Sequence, residues 1–202
     1  VISLKTIKDE VINTIIIKKS TFITKMAPKS SIQEAREYID SIKAEYPDAT
    51  HHPAAYIIGN HGEYGHANDD GEPGKTAGAP IFDVLRKNDL TNVVAVVVRY
   101  FGGIKLGAGG LVRAYSKSTA EAVKLATIVP IIEYSRLHLT FDYPSMPIIE
   151  PYLNDTKIIS RNFTKNISYI IELPTSEVSR LKTILNELTQ GKIIIHEVIT
   201  ED

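Results

Sequence analysis

Between positions 99 and 124 the chain concentrates groups that attract an anion. Five glycines, Gly102, Gly103, Gly107, Gly109 and Gly110, fall within nine residues at the end of an apolar run. Glycine lets backbone N–H groups approach a ligand closely. A helix starting just beyond adds unpaired N–H groups and a partial positive charge. Arg99, Lys105 and Arg113 stand before, inside and after this loop, and Lys117 and Lys124 extend the basic series. In that span there are five basic residues and one acid, Glu121, which is at helical distance from Lys117 and Lys124. The chemistry indicated is phosphate binding, alone or along a nucleic-acid backbone. Two plainer readings stand beside it. The glycines permit a sharp turn against a neighbouring element, and a Lys/Arg stripe is commonly a solvated helix face. The spacing never gives G-x-G-x-x-G, so no dinucleotide fingerprint is present.

The second concentration is acidic: Asn68-Asp69-Asp70-Gly71-Glu72-Pro73, followed by Gly74-Lys75-Thr76. Asp69, Asp70, Glu72 and Thr76 are candidate ligand- or partner-contacting residues. Carboxylates of this kind hold hard cations, act as an acid/base pair, or build turns and cap the next helix. Gly74-Lys75-Thr76 resembles the end of a Walker A loop, but Asp69 occupies the position of the required first glycine. His51, His52, His61 and His66 lie nearby without a metal-binding spacing such as H-E-x-x-H. There is no cysteine and no Gly-x-Ser-x-Gly, so covalent catalysis has no evident nucleophile. The reading therefore favours binding over catalysis and expects no catalytic residue, metal or cofactor.

Elements must position these groups. Ile-, Val- and Thr-rich stretches at Val11–Lys18 and Thr21–Met26 predict strands. Ile32, Ala35, Ile39 and Ile42 recur at helical spacing behind a Ser31 cap with Glu34 three residues on. A short strand, Ala54–Ile58, precedes a long polar loop from Gly59 to about Lys75 and a helix over Thr76–Lys87. Val93–Val98 shows no alternation and predicts a strand covered on both faces, in the middle of a sheet. It feeds the glycine loop and a helix over Leu111–Ala126. Thr127–Arg136 is the expected boundary, dividing Val1 to about Ile128 from about Pro130 to Asp202. The second part reads as strand Leu137–Tyr143, short helix Ser145–Asn154, hairpin Lys157–Phe163 with Ile167–Leu173, a helix closed by Gly191, and strand Lys192–Thr200. That β-α-β-β-α-β order is the ferredoxin-like arrangement.

With 23 Lys+Arg against 24 Asp+Glu, 43% hydrophobic and 23% charged residues, the composition is that of a globular chain and excludes a uniformly cationic coat. The longest clean apolar run is too short to cross a bilayer and the N-terminal residues form no signal-peptide core, so a cytoplasmic, membrane-free protein is expected.

Four segments together carry a specific resemblance. They are Asp69-Asp70-Gly71-Glu72-Pro73, Thr76-Ala77-Gly78, the run Arg99-Tyr100-Phe101-Gly102-Gly103-Ile104-Lys105-Leu106-Gly107, and Gly109-Gly110-Leu111-Val112-Arg113-Ala114-Tyr115. This pattern resembles the signature of the Impact/YigZ family, and Ser20, Phe22, Ile23 and the Ala49–Tyr56 segment fit it as well. The resemblance implies an α+β protein whose first domain resembles ribosomal protein S5 domain 2. It also implies a second, ferredoxin-like domain resembling one in elongation factor G. Eukaryotic Impact restrains a stress kinase of translation initiation by competing for that kinase's ribosome-associated activator. That regulation uses an additional N-terminal domain and is not carried over. The chain departs from the family pattern at Gly74-Lys75, where Ser-Gly is usual, and at Pro53, where a cysteine is common.

The expectation is a module of translation regulation. Arg99, Gly102, Gly103, Lys105, Gly107, Gly109, Gly110, Arg113 and Lys117 would meet RNA phosphate, the ferredoxin-like sheet would add a second surface, and RNA, the ribosome or a protein of the translation machinery would be the partner. One alternative is an enzyme for a phosphorylated small molecule, with Asp70 or Glu72 as base or cation ligand. Another is a protein–protein regulator using the acidic loop.

Overall fold

The six-residue valine-rich run organises the first half of the molecule. In the computed structural model, which describes residues 4–199, it lies within strand β6 (Val93–Tyr100), third of five in an antiparallel sheet. The other strands are β2 (Val11–Ile17), β3 (Ser20–Pro28), β4 (Ala54–Ile58) and β5 (Tyr64–Asn68), and the spatial order is β2-β3-β6-β4-β5. Side chains alternate across a strand, and here both faces are covered. Val93, Ala95 and Val97 pack with Ile81, Leu111 and Tyr115 from helices α2 (Gly78–Lys87) and α3 (Gly107–Leu125). Val94, Val96 and Val98 pack with Ala35, Tyr38 and Ile42 of helix α1 (Ile32–Glu45). Each fully buried valine contributes about 1.5–3 kcal/mol relative to exposure. Ser31 caps α1, accepting from the Glu34 N–H at 3.1 Å, and the Glu34 carboxylate reaches back to the Ser30 N–H at 2.9 Å.

Four differences from the sequence reading matter for the site. The stretch 59–75 is not all loop: β5 occupies its middle, paired with β4 and exposed throughout, so no apolar alternation marks it. Helix α2 starts at Gly78 rather than Thr76, because Thr76 closes a turn, its Oγ1 donating to the Pro73 carbonyl at 2.5 Å. Helix α3 starts at Gly107 rather than Leu111, so Gly107, Gly109 and Gly110 form its first turn and the glycine loop shrinks to 102–106. Short strands β1 (Lys5–Ile7) and β7 (Ile128–Pro130) pair antiparallel, which places Pro130 in the first unit.

The chain divides between Ile131 and Ile132 into two compact units. The second unit carries β8 (Tyr134–Phe141), a short helix α4 (Met146–Ile149) flanked by 3-10 turns, β9 (Lys157–Phe163), β10 (Ile167–Pro174), helix α5 (Val178–Leu188) and β11 (Ile194–Val198). The strand expected to reach Thr200 ends at Val198, and Thr200 itself lies outside the described residues. The antiparallel order β11-β8-β10-β9 is the ferredoxin-like one. Leu137, Leu139, Phe141, Tyr169 and Ile171 pack on Ile149, Val178 and Leu185. On the alternate positions His138 and His196 face one another in register across β8 and β11, and His138 Nε2 hydrogen-bonds the Ser168 hydroxyl.

Candidate functional site

The acidic segment is a hydrogen-bonded turn that seats α2. Asp69 Oδ1 accepts from the N–H groups of Ala77 and Gly78 at 3.1 and 2.8 Å, and Oδ2 from that of Lys75 at 2.8 Å. The carboxylate thus caps the helix from eight residues upstream. Partial burial alone would raise its pKa, but these three donors hold it below the ordinary aspartate value. Asp70 sits at φ 46° and is bound twice, by Lys43 Nζ at 2.9 Å and by the His52 N–H at 2.7 Å. Its pKa is also lowered, the Lys43 and His52 contacts outweighing burial. The Asp70 carbonyl pairs with His51 Nδ1 at 2.7 Å.

A carboxylate whose folded pKa is depressed stabilises fully above its unfolded pKa and loses that contribution as pH falls through the folded value. Asp69→Asn should therefore lower stability at neutral pH by about 1 kcal/mol, as for loss of a helix cap. The gap in melting temperature between wild type and variant should close as pH drops below about 3.9, the unfolded aspartate value. A constant gap from pH 7 into that range would contradict the capping role.

Glu72 and Arg99 are brought together, but with each other. Both are buried, at 7% and 6% exposure. Arg99 Nη1 lies 2.5 Å from Glu72 Oε1, which also accepts from the Tyr115 hydroxyl at 2.7 Å. The guanidinium sits between the rings of Phe22 and Phe101, 5.7 and 5.6 Å from their centroids, and its Nε is buried without a partner. Burial, with the Glu72 bond next, pushes the Tyr115 hydroxyl pKa up, so it stays a donor. His51 Nε2 stands 4.0 Å from the outer Glu72 oxygen. This cluster ties the acidic turn, the end of β6 and the third turn of α3 into one body. In the sequence Tyr115 stands out only as the end of the Gly109–Tyr115 motif, and nothing in the local pattern marks its hydroxyl.

The body fixes where the glycine hinge begins. The Phe101 N–H donates to Thr50 Oγ1 at 3.0 Å and the Gly102 N–H to Ser20 Oγ at 3.1 Å. Gly102 then presses on the β2–β3 turn, where an added Cβ would stand 2.0 Å from the Lys19 carbonyl. Gly103 and Gly107 differ: both have positive φ, 86° and 73°, and an added Cβ meets nothing within 4 Å. Gly102 thus packs at the hinge root, Gly103 and Gly107 leave open backbone, and Gly110 lies against Leu106, where an added Cβ would stand 3.1 Å from its Cβ.

Gly109, Arg113 and Lys117 recur every four residues and share one stripe of α3, and Lys105 precedes the helix in the glycine loop. Gly109 leaves a gap in that stripe, and the Arg113 guanidinium folds back over it, Nη1 lying 3.6 Å from the Cβ a larger residue would carry. The first turn of α3 has no acid and no side-chain cap. Lys105, Arg113 and Lys117 are exposed and form no ion pair among the described residues, whereas Lys124 is taken by Glu121 at 3.1 Å. His52 bonds the Tyr46 carbonyl, His66 stacks on Tyr56, and no group of three metal-ligating side chains converges among the described residues. No helix there is long and apolar enough to cross a membrane.

An acidic turn locked to a buried arginine, and a glycine hinge opening onto a basic helix, define an α+β protein of the type the motifs suggested. The family model described as the Impact N-terminal domain matches residues 18–123. The IMPACT family member YvyE of Bacillus subtilis is 39% identical over 194 residues, covering 95% of this chain and 89% of that protein. YigZ of Escherichia coli is 35% identical over 184 residues, covering 88% and 89%. A crystal structure of a hypothetical protein superposes over the full length of both chains with a TM-score of 0.68 and 31% identity. The chain belongs to the IMPACT family.

Proposed function

We propose that this protein is a non-catalytic RNA- or ribosome-associated module of translation regulation that grips phosphate at the start of α3. The observation that carries this reading is the Arg113 guanidinium lying over the uncapped first turn of α3, with Lys105 before that turn and Lys117 beyond it exposed and in no ion pair among the described residues. The N–H groups of Gly107 and Gly109, ahead of the first i→i−4 bond, and the positive end of the helix attract phosphate oxygens, while the Gly110 N–H is spent inside the helix. Gly103 supplies the turn. Arg99 and Gly102 serve from behind, holding the hinge rather than touching the ligand. Phosphate contacts position RNA without reading its sequence. The acidic turn supports neither alternative, since Asp69, Asp70 and Glu72 all spend their carboxylates inside the first unit.

The test is co-sedimentation with ribosomes, with and without nuclease, for wild type and Arg113→Glu. Binding is expected for wild type, lost on nuclease treatment and on charge reversal. With a single-stranded RNA oligonucleotide, affinity should fall steeply with salt, and Arg113→Ala should reduce the log–log slope by about 0.7, one phosphate contact. Association that ignores both salt and nuclease would replace this reading with protein–protein recognition.

A further inference from the structure

The outer edge of β2 carries a second surface. β2 is the terminal strand of the five-stranded sheet, and its seven residues pair with β3 in unbroken register through a two-residue turn, Lys18-Lys19, both at positive φ. In such a hairpin the closing pair, Ile17 with Ser20, exchanges hydrogen bonds, and every second residue does likewise. Val11, Asn13, Ile15 and Ile17 therefore spend their backbone groups on β3. Ile12, Thr14 and Ile16 direct theirs outward, where the sheet offers no partner. Their side chains are exposed as well, Ile12 at 55% and Ile16 at 70%. The edge has no proline, no bulge and no charge within the strand, the usual devices against edge pairing.

We infer that this edge pairs with the same edge of a second copy of the chain, antiparallel and about a two-fold axis at Thr14. The charges select both the partner and the register. An axis at Thr14 sets Ile12 against the partner's Ile16, Glu10 against the partner's Lys18, and Asp9 against the partner's Lys19. Lys18, Lys19 and Asp9 are exposed and form no ion pair among the described residues, while Glu10, whose Oε1 accepts from the Tyr38 hydroxyl and lies 3.5 Å from Lys25 Nζ, retains 52% side-chain exposure. Moving the axis by one residue is the smallest shift that keeps outward groups facing; at Asn13 it sets Glu10 against the partner's Ile16 and Lys8 against the partner's Lys18, and at Ile15 it sets Ile12 against the partner's Lys18. Parallel pairing opposes like charges. Only the Thr14 axis matches aliphatic to aliphatic, acid to base, and donor to acceptor at once. Exposed ion pairs add little affinity singly but fix register and partner. The result is an isologous contact joining two five-stranded sheets edge to edge.

Sedimentation equilibrium of the full chain, from low micromolar to submillimolar concentration, tests this. A reversible dimer is expected. Ile16→Lys should weaken it at least about tenfold, since it removes the aliphatic pair and places two lysines at the seam, without changing the melting temperature of an exposed position. At low salt Asp9→Lys and Lys19→Glu should each weaken the dimer, and the double variant should restore it. The chain has no native cysteine, so Thr14→Cys should crosslink to itself under mild oxidation faster than Ile12→Cys or Ile16→Cys, which have no identical residue opposite. A chain monomeric throughout, equal crosslinking at the three positions, a double charge swap that fails to restore dimer, or an edge occupied only by a strand of a different protein would overturn the inference.

Discussion

Glu72→Ala is expected to destabilise the first unit by about 3–5 kcal/mol, the range for breaking a buried ion pair from one side. The carboxylate oxygen Oε1 accepts from both the Arg99 guanidinium and the Tyr115 hydroxyl. Without it an arginine that cannot shed its proton stays between Phe22 and Phe101, in surroundings that solvate it poorly. Removing both charges is a different experiment. Glu72→Leu with Arg99→Met eliminates the desolvation cost along with the attraction, and should cost far less than the single change. Urea unfolding of both variants measures the contrast, with fluorescence and circular dichroism followed separately because two units need not melt as one. A single-variant loss below about 1 kcal/mol, the level of an exposed pair, would mean that the cluster is not the brace described.

The second large effect falls on Gly102 and spares Gly103. At Gly102→Ala the new Cβ would stand 2.0 Å from the Lys19 carbonyl carbon and oxygen. Overpacking typically costs about 1–3 kcal/mol when side chains can yield. Here the obstacle is main chain in a hairpin turn, so the loss belongs at or beyond the upper end of that range. Gly103→Ala meets no atom and pays only for its φ of 86°, about 1–2 kcal/mol. Thermal melts of the two variants should therefore separate clearly. RNA association should fall in both, but at Gly103 it should fall in a protein that remains folded at room temperature. Equal melting temperatures would show that the hinge root tolerates more than its geometry implies.

Local chemistry made part of this architecture legible. The unalternating Val93–Val98 run announced a strand covered on both faces, and β6 is central. The Ser31 cap and the β-α-β-β-α-β order of the second unit were readable for the same reason: each is signalled within a few residues. What escaped is set by distant neighbours. β5 reads Tyr-Gly-His-Ala-Asn, with no apolar alternation, and is a strand because β4 offers it an edge. Glycine-rich residues 107–110 form a helical turn that their propensities oppose. Arg99 and Glu72 stand 27 residues apart, so the charge balance of either segment alone could not reveal that they neutralise each other. Arg99 in particular reads as a ligand-seeking cation until its partner is known, whereas Lys105, Arg113 and Lys117 are exposed and form no ion pair among the described residues.

The position of β6 also dictates the order in which the chain can mature. β2 and β3 join through a two-residue turn, and β4 with β5 are close neighbours in the chain, so each pair can zip early. The two pairs share no hydrogen-bonded strand contact, and β6 enters between β3 and β4 to join them. A nascent polypeptide emerging residue by residue from the translating ribosome thus holds two disconnected halves until position 100 is free of the exit tunnel. Only then does the late-arriving valine strand stitch them together, and the interval before it is when this protein most needs shelter from its own kind.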